Sequence, residues 1–242
     1  MRVNCFECGL RACGLFKPVS QSELAFINEM KRDHMTVPAG TAIIRAEQDS
    51  AELYTLYAGW AFRFKTLPSG RRQILNFLLP GDLVGLQAAM FNAAQHGIEA
   101  LTDVELCLLP RHKVWELFGK MPELAFDVTW LGAREESHVD ENLLSAGQRS
   151  AAERIAALIV LLYKRADALS LVTDQTFSFP LSQQHIADAL GLSLVHTNKT
   201  LARLRRMGMY TQANGSLTLK NPRVLESIAQ HFDQELKRRP LI

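Results

Sequence analysis

A long apolar run is missing from the N-terminus of the 242-residue chain, where after Met1 polar groups, glycines and single hydrophobes alternate, so neither a signal peptide nor a membrane anchor is expected. A cytoplasmic protein follows, in a compartment where thiols stay reduced and clustered cysteines more often bind metal or do redox chemistry than form structural disulfides. Cysteine is itself scarce: Cys5, Cys8 and Cys13 fall within CFECGLRAC, and Cys107 is the only other one. Excess charge is nearly absent, with 27 Lys plus Arg against 25 Asp plus Glu, so a protein that coats polyanions over its whole surface is excluded and any nucleic-acid function must come from local clustering. There is no phosphate-cradling glycine loop and no glycine-flanked nucleophilic serine, and the histidines at 34, 96, 112, 138, 185, 196 and 231 are scattered without metal-ligand spacing. An enzyme is therefore not expected.

An apolar fraction of 48% is ample for packed cores. From about Thr36 to Pro110, short β-type runs such as VPAGTAII and ELYTLYAGWAFRFKTL are broken by turn residues, with Pro68, Ser69 and Gly70 placed as a hairpin turn. Many short strands at this spacing predict a small sandwich or roll. The punctuation then stops, and a long helix is predicted from roughly Glu123 to Gln148. Positions alternately four and three apart, Leu124, Val128, Leu131, Glu135, His138, Asn142 and Ser145, form a seam that begins apolar and turns polar, as a dimer contact of adjustable strength would. The alternative is that the helix packs along its own roll, a face that Val139, Leu143 and Leu144 would serve equally well.

A further helix opens at Ser150, with Glu153 at capping-box spacing. Beyond it, LSQQHIADALGLSLVHTNKTLARLRRMG places Ile186, Ala187 and Leu190 on a short helix ending at Gly191, and a second helix after Ser193. Small Ala187 permits a close crossing, Gly191 supplies a left-handed turn, and Leu192, Leu194, Leu201 and Leu204 are expected on the buried side: helix-turn-helix spacing. Lys199, Arg203, Arg205 and Arg206 give +4 between Ser193 and Gly208 with no acid among them. Such a helix suits phosphate tracking and entry into a groove. Asn214 and Gly215 then signal a two-residue hairpin, the expected wing.

In this order, roll, long helix and winged helix-turn-helix resemble the CRP/FNR transcription regulators over about residues 5 to 230. LLPGDLVGLQA is similar to the family's roll motif, and CLLPRHKVWELFGKMPEL to the segment entering its dimerisation helix. The resemblance implies an α+β fold: a cysteine-containing arm (1–22), a cupin-like, cyclic-nucleotide-binding-like β-roll (23–120), a dimerisation helix (121–148) and a winged helix-turn-helix domain (149–242). The family's cyclic-nucleotide branch grips phosphate with an Arg late in the roll. FNAAQHGIEALTDVELC has no arginine, so cyclic AMP is not expected and Gly81 and Asp82 read as a roll turn.

The FNR branch carries three N-terminal cysteines and a central one that ligate an oxygen-labile [4Fe-4S] cluster. By resemblance, Cys5, Cys8, Cys13 and Cys107 are those ligands, although four residues separate Cys8 from Cys13 where FNR has five. Cluster binding is then expected to promote dimerisation, with Glu135 facing its symmetry mate, and so DNA binding. The alternatives are zinc held by the four thiols, a buried strand cysteine at Cys107, or a regulator without a cluster that senses another effector or is controlled only by its level. FNR proteins read their half-site with a Glu, a Ser and an Arg, matched here by Val195, Asn198 and Lys199. Asn198 is expected to pair with adenine, Lys199 with guanine or phosphate, Val195 and the Thr197 methyl with thymine methyls, and His196 with phosphate. The expected partners are a two-fold symmetric duplex with half-sites one helical turn apart, a second copy of the chain, and RNA polymerase if the protein activates.

Overall fold

The computed structural model describes residues 4–47, 52–91, 93–230 and 238–242. Residues 1–3 of the predicted arm, 48–51 and 92 of the predicted roll, and 231–237 of the predicted C-terminal domain lie outside the described residues. The chain divides into two compact units, each taken by itself here: one formed from residues up to 65, 76–137 and the closing 238–242, the other from 66–75 and 138 to the end of the last helix.

In the first unit the arm makes two 3₁₀ turns, Cys5–Glu7 and Gly9–Ala12. Helix α1 (Gln21–Met30) starts where Ser20 and Glu23 cap one another reciprocally, Glu23 N–H donating to Ser20 Oγ at 3.2 Å and Ser20 N–H to the Glu23 carboxylate at 2.6 Å. The roll strands are β1 (Asp33–Val37), β2 (Ala42–Ile44), β3 (Glu52–Ala58), β4 (Ala61–Thr66), β5 (Arg72–Leu78), β6 (Leu83–Val84), β7 (Gly97–Ala100) and β8 (Val104–Pro110), with α2 (Leu86–Phe91) after β6. They form two four-stranded sheets, in orders β1-β8-β3-β6 and β2-β7-β4-β5. Val37, Ile44, Leu56, Leu78, Val84, Ile98, Val104 and Leu106 fill the roll. A second apolar cluster joins Leu53 and Leu109 to Ile27 and Met30 of α1, to Leu117 of α3 (Lys113–Lys120) and to the start of α4 (Pro122–Gln148).

This second cluster changes the predicted seam. Leu124, Val128 and Leu131 are only 0%, 4% and 5% exposed, because the roll needs an apolar cover and the first turns of α4 supply it. Glu135 pairs with Arg63 of its own unit at 3.1 Å, and Asn142 donates to the Leu75 carbonyl at 2.8 Å, while His138 is half-buried. The exposed apolar side chains of α4 are Phe126, Val139, Leu143 and Leu144, at 64%, 47%, 71% and 50%. Of the seam, Leu124, Val128 and Leu131 thus cover the roll, whereas Val139, Leu143 and Leu144 are exposed.

A second revision concerns the closing residues. Arg238–Ile242, assigned by sequence to the DNA-binding domain, belong to the first unit, where Leu241 and Ile242 are 2% and 3% exposed.

In the second unit α5 (Ala151–Ala168) begins at the predicted capping box and buries Ile155, Ile159, Val160 and Leu162. Three strands, β9 (Thr176–Ser178), β10 (Tyr210–Ala213) and β11 (Ser216–Leu219), pair in the order β10-β11-β9. Helices α6 (Gln183–Leu190), α7 (Leu194–Arg206) and α8 (Pro222–Ala229) complete the unit, α8 packing on α5. Arg154 of α5 joins three chain segments by donating to the carbonyls of Ala146 (2.6 Å), Arg149 (2.8 Å) and Leu190 (3.1 Å). A guanidinium suits this task because its donors diverge in one plane. Arg154→Ala should lower the unfolding free energy by about 2–3 kcal/mol through loss of these charge-assisted bonds, and urea denaturation followed by far-UV circular dichroism would measure it.

Candidate nucleic-acid interface and thiol site

The helical pair is built by its caps. Ser182 Oγ accepts the His185 N–H at 3.1 Å to start α6, and Ser193 Oγ accepts the His196 N–H at 3.2 Å to start α7. Between them Gly191 sits at φ 63°, the left-handed conformation that closes a helix most cheaply with glycine. Thr197, Thr200, Leu201 and Leu204 form the buried face of α7. The wing follows from Asn214 and Gly215, at φ 50° and 72°, as the tight turn between β10 and β11 requires. The Tyr210 hydroxyl of β10 donates to the Leu201 carbonyl at 3.1 Å and so fixes the wing to α7.

Most of the predicted reading residues lie on the opposite face. Val195 is 64% exposed, and His196, Lys199, Arg203, Arg205 and Arg206 are exposed as well, while Asn198 is half-buried. Val195, Lys199, Arg203 and Arg206 follow one another at spacings of four, four and three, a single stripe along the helix. Two expectations change. Thr197 is fully buried, so its methyl cannot meet a thymine, and Leu194 is 41% exposed because it starts the helix outside the crossing point. Leu192 is half-buried.

The thiols gather in the first unit. Cys5, Cys8 and Cys107 are buried, Cys13 is half-buried, and none of the four is in a disulfide. Cys107 lies on β8, flanked in register by His34 of β1 and Thr55 of β3, and its Sγ is 3.8 Å from His34 Nδ1. His34 Nε2 is in turn 2.8 Å from Glu105. Asn28 of α1 holds the arm by accepting the Cys5 N–H at 3.0 Å. Sequence reasoning missed two cations here. Lys31, 5% exposed, makes a side-chain hydrogen bond to Cys107, and Arg11 lies close enough to Cys5 and Cys8 for their charges to act on it. Burial raises the Cys107 pKa most, with Lys31 opposing and the charges of Cys8 and Cys5 adding to the rise. Burial likewise lowers the Arg11 pKa, against Cys5 and Cys8. Four thiols outside any disulfide, with cations beside them, are the donor types an iron-sulfur centre uses. Among the described residues, however, no three His, Cys, Asp or Glu side chains are grouped closely enough to hold a metal ion.

A cavity of about 130 Å³ also opens inside the roll, lined by Arg63, Gly85, Leu86, His96, Ile98 and Glu135 among others. Its one guanidinium is engaged by Glu135. Asp82 is 2% exposed and accepts the Leu79 N–H at 2.9 Å, so the Gly81–Asp82 pair closes a roll turn.

Comparison with known proteins agrees with both units. Residues 34–120 match the model of the cyclic nucleotide-binding domain, and residues 153–228 that of the Crp-like helix-turn-helix domain. The chain belongs to the CRP/FNR family of transcription regulators. It is 28% identical over 226 residues to the nitrogen fixation regulation protein FixK of Bradyrhizobium diazoefficiens, covering 93% of each chain. It is 28% identical to the transcriptional activator protein FnrL of Cereibacter sphaeroides, covering 85% of this chain and 83% of that one. Among solved structures it is similar to FixK2 from Bradyrhizobium japonicum, with a TM-score of 0.73 and 26% identity over 81% of this chain and 96% of that one. The α+β architecture of roll, long helix and helix-turn-helix is thus the CRP/FNR fold, and the chain is a DNA-binding regulator rather than an enzyme. No described helix is long and apolar enough to cross a membrane.

The roll cavity of this CRP/FNR protein carries a pH dependence. His96, 6% exposed, has its pKa pushed down to about 4, chiefly by burial and then by Arg63 and Lys65. The unfolded imidazole titrates near 6.5, so between about pH 6.5 and 4 the unfolded chain binds the extra proton, and stability falls as pH falls. Denaturant unfolding should show a loss of about 2 kcal/mol between pH 7.5 and 5 that His96→Gln removes.

Proposed function

We propose that this CRP/FNR regulator is redox-responsive, and that Cys5, Cys8, Cys13 and Cys107 hold a [4Fe-4S] cluster whose presence favours dimerisation and DNA binding. One observation supports the reading: Cys5, Cys8 and Cys107, about a hundred residues apart in sequence, are buried in the same unit, near enough for the charges of Cys5 and Cys8 to act on Cys107, with Lys31 and Arg11 beside them. Bound by four thiolates, such a cluster supplies one-electron, oxygen-labile chemistry. The chain's own residues supply the rest. Asn28 and the 3₁₀ turns position the arm, Lys31 and Arg11 offset thiolate charge, and β8 presents the remote ligand.

The dimer contact in this reading uses the exposed apolar residues of α4, Phe126, Val139, Leu143 and Leu144, in place of the covered Leu124, Val128 and Leu131. DNA is read on a two-fold symmetric site with half-sites one turn apart: Val195 meets thymine methyls, Asn198 an adenine edge, Lys199 guanine or phosphate, and His196, Arg203, Arg205 and Arg206 the backbone. Val195 and Asn198 depart from the Glu and Ser of FNR, so the half-site sequence differs from FNR's. Cyclic AMP is not the effector in this reading, since Arg63 in the cavity already has an anionic partner in Glu135. The protein acts in the cytoplasm, with RNA polymerase as partner where it activates.

A second reading has its own support. Because no three donor side chains are grouped for a metal among the described residues, a regulator of the same fold without a cluster also accords with the structure.

Anaerobic purification with iron and sulfide analysis separates the two. The first reading expects about four of each per chain, lost in air together with the dimer and DNA binding, and no cluster in Cys107→Ser. A colourless protein that dimerises and binds DNA equally with and without air would sink it. The DNA interface is tested apart from the thiols: Lys199→Ala should weaken binding to all sequences and flatten the plot of log K against log salt by about one unit, whereas Val195→Ala should alter sequence preference with the slope intact.

A further inference from the structure

The closing residues Arg238–Ile242 follow the winged-helix unit in sequence yet are built into the thiol site of the first unit. Phe16 and Arg239 form a parallel bridge: the Arg239 N–H donates to the Leu15 carbonyl, and the Lys17 N–H to the Arg239 carbonyl, each at 2.9 Å. Arg11, two residues before Cys13, donates from Nη2 to the Leu241 carbonyl at 3.1 Å. On the opposite side Thr55, the register neighbour of Cys107, donates its hydroxyl to the Ile242 carbonyl. Ile242 also shares an apolar cluster with Cys5. The segment therefore bonds to the arm on one flank and to the roll on the other.

Its anchor is Arg239, which is 3% exposed. The guanidinium donates to the carbonyls of Pro80 (2.9 Å) and Gly81 (3.3 Å), pairs with the Asp82 carboxylate, and lies 5.0 Å from the centre of the Phe16 ring. Gly81, at φ 86°, would place a Cβ 2.3 Å from Phe16, so this turn can receive the ring only as glycine. Arg238, the adjacent arginine, is exposed.

We propose that Arg238–Ile242 is a strap that locks the cysteine arm against the roll, recognised by a groove made of Leu15, Phe16, Arg11, Thr55 and the Pro80–Asp82 turn. The arm opens, and Cys5 and Cys8 become reachable, only when the strap leaves. The idea needs no metal and stands whether or not a cluster binds.

The test uses full-length, reduced, metal-free protein. Peptide mass spectrometry would follow the rate at which iodoacetamide alkylates each cysteine, and hydrogen exchange would follow the amides of Lys17 and Arg239. In the unaltered chain both amides should exchange slowly. Arg239→Ala and Leu241→Asp should each raise Cys5 and Cys8 alkylation about tenfold or more and release the Lys17 amide, while Arg238→Ala should change neither. A fast-exchanging Arg239 amide in the unaltered protein overturns the proposal without any variant, even if the variants fold poorly. Equal alkylation of the Arg239→Ala and Arg238→Ala proteins also overturns it.

Discussion

The carboxylate of Asp82 is almost without solvent, and the arrangement of the first unit depends on how its charge is met. One oxygen accepts the Leu79 N–H and so closes the roll turn; the other is shared by Arg239 of the closing segment and Arg134 of α4, the latter at 3.4 Å. A buried charge with two cations around it contributes less to net stability than the bare attraction suggests, since all three groups lose water. Its stronger effect is on arrangement, because any rearrangement that removes one partner leaves a charge uncompensated. Roll turn, α4 and closing segment are thereby committed to one another at a single atom pair, and Phe16, packed on Gly81 beside it, brings in the cysteine arm.

The same arrangement bears on the thiols. Cys5 begins a short 3₁₀ turn and Cys8 is the extended residue between it and the next, and the hydrogen bonds of such turns are poorer than those of an α-helix. Such an arm is held by what surrounds it: Asn28 at Cys5, Asp127 at Lys17, and the closing segment at Arg11 and Phe16. Cys107, in contrast, is fixed by a central strand with neighbours on both sides. One thiol thus sits on a central strand and three on the arm, the asymmetry that the proposed responsive site would need.

What could be read from the sequence follows physical range. The helix-turn-helix is encoded locally: Ser182, Gly191, Ser193, Asn214 and Gly215 each act within a few residues, and the basic stripe of α7 follows from its period. Even there, Thr197 and Leu194 show that a helix start does not reveal which side chains turn inward. Along α4, periodicity gives a stripe without saying whether roll or partner covers it; Leu124, Val128 and Leu131 lie in the cluster shared with the roll. Helix α1 went unread although Ser20 and Glu23 carry a capping signature. Lys31, Arg11 and Arg239 could not be found in this way, because their partners lie between 76 and 230 residues distant and no local pattern marks a cation destined for burial.

With most of the apolar residues in its first turns committed to the roll, α4 retains only Phe126, Val139, Leu143 and Leu144 as large exposed apolar groups. Burying one such side chain contributes about 1.5–3 kcal/mol, from which association subtracts several kcal/mol of lost freedom. A contact between two copies of this helix would therefore be a small difference between larger quantities. In such a balance about 1.4 kcal/mol changes the dissociation constant tenfold, so a modest change in how firmly the arm and Asp82 hold α4 would be enough to matter. A fully apolar seam would lack that sensitivity. In the proposed dimer, the polar second half of α4, with Glu136, Asp140 and Glu141 interrupting its apolar residues, would keep the association within reach of a switch.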